Sequence, residues 1–229
     1  MKHDAVIFDL FGTLVDNFSF QEHLDVLEEM AKTLSVPSED FMSLWLYTFD
    51  ERVKGVYKNP ESNIVYICKE LGIKLDKQRI LKAGKIRRNF TRRTLKPRQD
   101  AVKTMEQLKV KGYKIGLITD CSSEVPSYWK DLPFAKLVDV PVFSCLTGLK
   151  KPDPRIYKLA CNRLGVSPEK CFYVGDGSSY ELSGASKVGM KPVLIHTPSE
   201  DENDSYQVNP ERWYGDKVTG LKEILSLIE

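Results

Sequence analysis

Ala5-Val-Ile-Phe8-Asp9-Leu-Phe-Gly-Thr-Leu14 is the stretch on which the fold turns. Four apolar residues in a row, two of them β-branched, suit a strand buried on both faces, and a carboxylate stands at its end. The same arrangement recurs twice. Tyr113-Lys-Ile-Gly-Leu-Ile-Thr119 predicts a strand followed by Asp120, and Cys171-Phe-Tyr-Val174 predicts another followed by Gly175-Asp176. Further strands are expected at 138–143, edged by Pro141, and at 193–195. Helical patterns fall between and after them at 100–110, 154–165, 180–188 and 221–228, the second with Pro154 at its first helical position. Strands alternating with helices at this spacing predict an α/β fold, a doubly wound parallel (Rossmann-like) sheet with helices on both faces. Residues 199–209 read as a polar surface loop.

Residues 17–96 break the alternation. Leu24, Leu27, Ala31 and Leu34 recur at helical spacing. So do Phe41, Leu44, Trp45 and Phe49, then Ile64, Ile67, Cys68 and Leu71, then Ile80, Leu81 and Gly84. Trp45 and Phe49 are expected to share a face in the core of this region. It holds no strand pattern and is expected to be an all-helical insertion. The expected boundaries are 1–16 with 97–229 for the sheet-containing core and 17–96 for the helices.

Composition sets limits. The chain has 229 residues, 41% hydrophobic and 29% charged, with a net charge of +2, a balance that suits a globular domain with a sizeable core. The strongest local bias is 77–98, with ten basic side chains and no acidic one. It is expected to be a solvated helix face offset by Glu28, Glu29, Glu39, Asp40, Asp50 and Glu51, so no nucleic-acid partner is expected. The five cysteines are odd in number and none is paired as C-x-x-C. This argues for reduced, packed thiols in a cytoplasmic protein, Cys121 included. The apolar run before Asp9 is too short for a signal-peptide core, and no run approaches the ~18 residues of a membrane span, so no membrane partner is expected.

The chemistry follows from the fold. In a parallel sheet every strand ends at the same edge, where ligands bind. Asp9, Asp120 and Asp176 would converge there, and like charges so close call for a cation. Hard oxygen ligands suit Mg²⁺, which commonly shares its shell with a substrate phosphate. Lys151, in Gly148-Leu-Lys-Lys-Pro-Asp-Pro154, precedes a proline and is therefore biased away from helix, so that its ammonium can cross the edge. Carboxylates, Mg²⁺ and one lysine together suit a phosphoryl group.

With these residues in place, the chain resembles the haloacid dehalogenase-like hydrolases over nearly its whole length. Four motifs appear in the family's order: Asp9-Leu-Phe-Gly-Thr-Leu14, Thr119-Asp120, Lys151 in Lys-Pro-Asp-Pro154, and Gly175-Asp176 followed by Glu181. The helical insertion resembles the family's cap. The resemblance implies a hydrolase acting on a small phosphorylated molecule. In it Asp9 is the nucleophile of an aspartyl-phosphate intermediate. Thr119 donates to the transferred phosphoryl, and Lys151 neutralises charge. Gly12, Thr119, Asp120 and Lys151 surround the phosphate. Asp9, the Phe11 carbonyl, Asp176 and Glu181 hold Mg²⁺, with orientation of Lys151 the other role open to Glu181. A monomer or homodimer is expected.

Two departures matter. Most phosphatases of the family place a second Asp two residues after the nucleophile, as a proton donor; here Phe11 stands there. General acid–base help is worth about 10²- to 10⁴-fold, so alkyl phosphates should suffer most and acyl or aryl phosphates least. His23, Tyr47 and Glu51 are substitutes by chemistry alone. At Asp120 the family often has Asn, so this carboxylate must be turned away or offset. The Phe11 departure leaves three alternatives. The 2-haloacid dehalogenases also lack the second Asp, but they carry an arginine early in the cap, whereas the first arginine here is Arg52. The phosphonoacetaldehyde hydrolases need a cap lysine, for which Lys54 and Lys58 are candidates. The third alternative is a phosphate-binding protein that no longer turns over.

Overall fold

The computed structural model describes residues 3–74, 76–196 and 206–228; most of the expected loop 199–209 lies outside them. Strand β1 (Ala5–Phe8) is fully buried, as an apolar run at the centre of a parallel sheet must be. It pairs in parallel with β2 (Lys114–Thr119) on one side and β4 (Cys171–Gly175) on the other. Strand β3 (Val140–Phe143), with Pro141, lies at the edge beside β2. Strands β5 (Lys191–Ile195) and β6 (Asp216–Val218) extend the other side, all in parallel. The order of the six strands is β3-β2-β1-β4-β5-β6, so the winding reverses between β1 and β4, where a doubly wound sheet opens its crevice.

One apolar cluster covers each face of the sheet. Val6, Phe8, Leu117 and Phe172 point into the first, with α6 (Ala101–Val110) and α11 (Ile224–Leu227) packed on it. Ile7, Ile118 and Tyr173 point into the second, against α9 (Pro154–Leu164) and α10 (Glu181–Lys187). Neighbouring residues of a strand serve opposite faces, as the two-residue period requires. Short helices α7 (Glu124–Tyr128) and α8 (Ser144–Thr147) follow β2 and β3.

A third cluster belongs to the helices between β1 and α6: α1 (Phe20–Leu34), α2 (Ser38–Tyr47), α3 (Phe49–Val53), α4 (Pro60–Glu70) and α5 (Lys77–Thr94). Leu27, Phe41, Trp45, Ile64, Ile67 and Phe90 fill it. Each fully buried side chain of this kind contributes roughly 1.5–3 kcal/mol. The expected stripe holds for α4 and, apart from the half-buried Leu24, for α1, but two others are corrected. Thr48 ends α2, so Phe49 begins a new helix and leaves the face of Trp45. In α5 the buried positions are Ile80, Ala83, Gly84, Phe90 and Thr91, while Leu81 is exposed. Gly84 leaves room for the Glu61 carboxylate, through which Arg88 joins α4 to α5 at 2.5 Å; a Cβ there would displace it. The basic stretch is offset by acids other than those expected: Arg93 meets Glu22 at 2.8 Å and Arg87 meets Glu124 at 3.4 Å, whereas Glu28 pairs with Lys32 and Asp50 with Lys54 and Lys150.

The chain passes between sheet and helices twice, and the two passages lie side by side. Val15 bridges Pro97, Asp16 N donates to Lys96 O at 3.2 Å, and Arg98 N donates to Leu14 O at 3.0 Å. Farther out, Lys150 meets Asp50 at 2.5 Å, and Gly55, with φ +73°, sits directly on the Cys145 carbonyl. A methyl at Gly55 would clash with that backbone and sit in the left-handed region. Gly55→Ala should therefore lower stability by more than the ~1–2 kcal/mol of the backbone effect alone, read as a drop in Tm.

Candidate active site

Three adjacent strands, β2, β1 and β4, carry their terminal residues to one edge. Asp9 lies one residue past β1, and its N–H donates to Val174 O at 2.9 Å, so the nucleophile candidate is pinned to β4. Gly12 turns the loop at φ +72°; a Cβ there would stand 2.5 Å from Asp176 Oδ2 and 2.6 Å from Asn17 Nδ2. Only glycine lets Asp176 come this close. Asp176 accepts from Ser178 N and Oγ, Asn17 and Gln207 at 2.9–3.2 Å.

Lys151 joins the two sides. Its ammonium donates to Asp9 Oδ1 and to Glu181 Oε2, both at 2.6 Å, with all three groups buried. Glu181 also accepts from Tyr173 at 2.8 Å and from Gly177 N at 3.0 Å, and a Cβ at Gly175 would overlap it. Oε2 is thus committed to two protein donors, Lys151 and Tyr173, while Oε1 takes one bond, from Gly177 N. Carboxylate oxygens of Asp9, Asp176 and Glu181 nevertheless lie within 4.8 Å of one another. Burial raises the Asp9 carboxyl to about 6; Lys151 opposes the rise and Asp176 adds to it. Burial disfavours the Lys151 ammonium, but Asp9, Glu181 and Asp120 outweigh that and hold it charged well above the usual lysine range.

The structure brings Thr119 and Asp120 to the same edge. The Thr119 hydroxyl is fully buried and has no hydrogen-bond partner among the described residues, a costly state that a ligand oxygen would relieve. Asp120 turns one oxygen to Lys151 N at 3.0 Å, so the extra carboxylate positions the lysine's backbone.

Above this edge lies a cavity of about 110 Å³. Its floor includes Asp9, Asp120 and Lys151. Phe11, Phe18, Phe49 and Phe90 form walls, and His23, Arg52 and Arg87 come from the helices. Of the substitute proton donors, Tyr47 is 74% exposed, and neither it nor Glu51 lines the cavity. His23 does, yet burial and the charges of Arg87 and Arg52 depress it to about 2, so it is neutral at working pH. Lys54 pairs with Asp50 and Lys58 with Gly55 O, and neither lines the cavity. Cys121 faces Cys145 at 3.9 Å, and burial holds its thiol well above the usual range, as a packed thiol requires.

From the sequence, Arg52 stands out only as the first arginine of the insertion, and Arg87, Asn17, Tyr173 and Gln207 were not singled out. One signal existed. Arg87 falls on the α5 stripe, three residues beyond Gly84 and three before Phe90, where an apolar residue is due.

The haloacid dehalogenase-like hydrolase family model matches residues 3–189. The chain belongs to this family. Relatives with two different named activities match it. A glyceraldehyde 3-phosphate phosphatase of Pyrococcus furiosus is 30% identical, covering 98% of this chain and 92% of that protein. The (S)-2-haloacid dehalogenase 4A of Burkholderia cepacia is 29% identical, covering 84% and 82%. Among solved structures, a 2-haloacid dehalogenase from Pseudomonas syringae shares the fold with a TM-score of 0.73 at 21% identity, covering 99% of this chain and 98% of that one. The haloacid dehalogenase-like chain described here is accordingly a hydrolase, and no described helix is long and apolar enough to cross a membrane.

His23 makes a stability prediction for this hydrolase. Its folded pKa lies far below the unfolded value of 6.5, so the unfolded chain binds the extra proton and stability is lost as pH falls below 6.5. The loss should be about 1.4 kcal/mol per pH unit between roughly pH 6 and 5. Denaturant titrations of His23→Gln should show that slope reduced by one proton.

Proposed function

We propose that this hydrolase is a Mg²⁺-dependent phosphatase that works through an aspartyl-phosphate on Asp9, with the helices 17–96 as its cap. The observation that carries the reading is the meeting of Asp9, Asp176 and Lys151 at the switch point, beside the buried Thr119 hydroxyl, which has no partner among the described residues. The donor set is hard oxygen throughout and fits Mg²⁺, which Asp9, Asp176 and the Phe11 carbonyl would hold, with Glu181 orienting Lys151. When bound, Mg²⁺ neutralises the clustered carboxylates and draws electron density from the phosphoryl oxygens.

The chain's own groups do the rest. Lys151 holds Asp9 Oδ1, which leaves Oδ2, with its long 3.5 Å bond from Thr13, as the freer oxygen for attack on phosphorus. The Asp9–phosphorus bond forms as the bond to the leaving-group oxygen breaks, and water then cleaves the acyl phosphate. Lys151 and the Thr119 hydroxyl donate to the phosphoryl oxygens as charge gathers there. Phe11 offers no proton to the leaving oxygen, which favours leaving groups stable as anions. The second reading, attack of Asp9 on carbon in a 2-haloacid, is supported by Phe11 and by the Burkholderia relative.

The test is turnover of acyl, aryl and alkyl phosphates with Mg²⁺ and with chelator. Acyl and aryl phosphates should be hydrolysed, only with Mg²⁺, and Asp9→Asn should abolish the reaction; activity surviving in that variant sinks the nucleophile assignment. Halide release from 2-chloropropionate without Mg²⁺ would favour the carbon-centred reading instead. Phe11→Asp should raise kcat on alkyl phosphates by on the order of 10²-fold.

A further inference from the structure

The helices bring two arginines to the cavity that phosphoryl chemistry at Asp9 does not use. Arg52 is 7% exposed, and among the described residues its guanidinium donates to neutral groups, the Trp45 carbonyl and Thr48 Oγ1, the latter at 2.8 Å. No described carboxylate forms an ion pair with it. Arg87 is held from behind by Glu124 and donates through Nη1 to His23 Nδ1 at 3.2 Å. Arginine has no acceptor, so this bond makes Nδ1 the acceptor and leaves the His23 proton on Nε2. No described residue accepts from Nε2. The ring lines the cavity beside Phe18 and Phe90.

The charged groups of the roof are therefore all donors, Arg52 and Arg87, joined by His23 Nε2–H, with the Thr91 and Thr94 hydroxyls as neutral neighbours. Two positive charges and one negative, Glu124, leave a single positive excess; Glu51 exerts a weaker pull on Arg52 and does not line the cavity. Burial and the charge of Arg87 draw the Arg52 guanidinium down to about 9, still charged at neutral pH. Stacking over Trp45 at 4.6 Å offsets part of that strain. A buried charge without a counter-charge is costly and is best relieved by an anion. A monoanion matches the excess, whereas a second phosphate would exceed it, and a carboxylate fits the planar guanidinium fork.

We infer that Arg52, Arg87 and His23 form a specificity site for a carboxylate on the substrate, so that the preferred substrates are phosphorylated carboxylic acids. This rests on the phosphatase reading above and extends it to the far end of the substrate.

The test compares 3-carboxyphenyl phosphate with its methyl ester, which removes the charge while keeping the leaving group similar. The wild type should prefer the acid by tenfold or more in kcat/KM, mainly through KM. Arg52→Gln should bring the acid-to-ester ratio near one, and Arg52→Lys, which keeps charge but loses the fork, should retain an intermediate ratio. His23→Phe should lower the ratio as well. Circular dichroism verifies that each variant is folded. An ester turned over as well as the acid by the wild type overturns the inference, as does an Arg52→Gln variant that slows both substrates in parallel. If the wild type hydrolyses neither compound, the phosphatase reading has failed, and the carboxylate site is judged by propionate. A rise in Tm for the wild type that is smaller in Arg52→Lys and absent in Arg52→Gln sustains the site; no rise in the wild type ends it.

Discussion

One ammonium sets the terms for the site. Lys151 lies 2.6 Å from both Asp9 and Glu181, and none of the three has appreciable contact with solvent. Removing one member of such a cluster leaves a buried charge uncompensated, at a cost of several kcal/mol. The surrounding small residues follow from this. Gly175 makes room for Glu181, Gly12 makes room for Asp176, and Tyr173 supplies a further hydrogen bond from within β4. Asp9 is thus held by groups from both sides of the switch point.

Much of the sheet was legible because buried parallel strands leave long apolar runs, and because each site acid stands where such a run ends. The legible strands are β1, β2, β4 and β5, with β3 shorter than expected. Strand β6, Asp-Lys-Val, was invisible: three residues with one buried apolar side chain carry no pattern, and pairing with β5 alone makes them a strand. Asp9, Thr119, Lys151 and Asp176 were legible by position. Their supports were not. Asn17 and Gln207 reach Asp176 from segments 159 and 31 residues away in sequence, and such contacts are known only once the chain is folded.

The helices between β1 and α6 show the limits of periodicity. A stripe at helical spacing identifies which face is inward, not what lies inward. Arg87 occupies a stripe position and faces a cavity, whereas Phe49 loses its stripe because the helix stops at Thr48. A buried arginine and a half-buried phenylalanine are what a ligand-facing surface produces, and an unaided pattern assigns both to packing.

The paired passages at residues 14–16 and 96–98 carry a last consequence. Since the outgoing and returning chain are already hydrogen-bonded to one another, the loop between them closes at a point fixed by the sheet itself. A longer, shorter or wholly exchanged set of helices could be spliced between the same two anchors with only a small change in closure entropy. The reactive groups would keep their spacing. The architecture thus separates the inheritance of chemistry from the inheritance of selectivity, and relatives with such different named reactions become compatible with one framework.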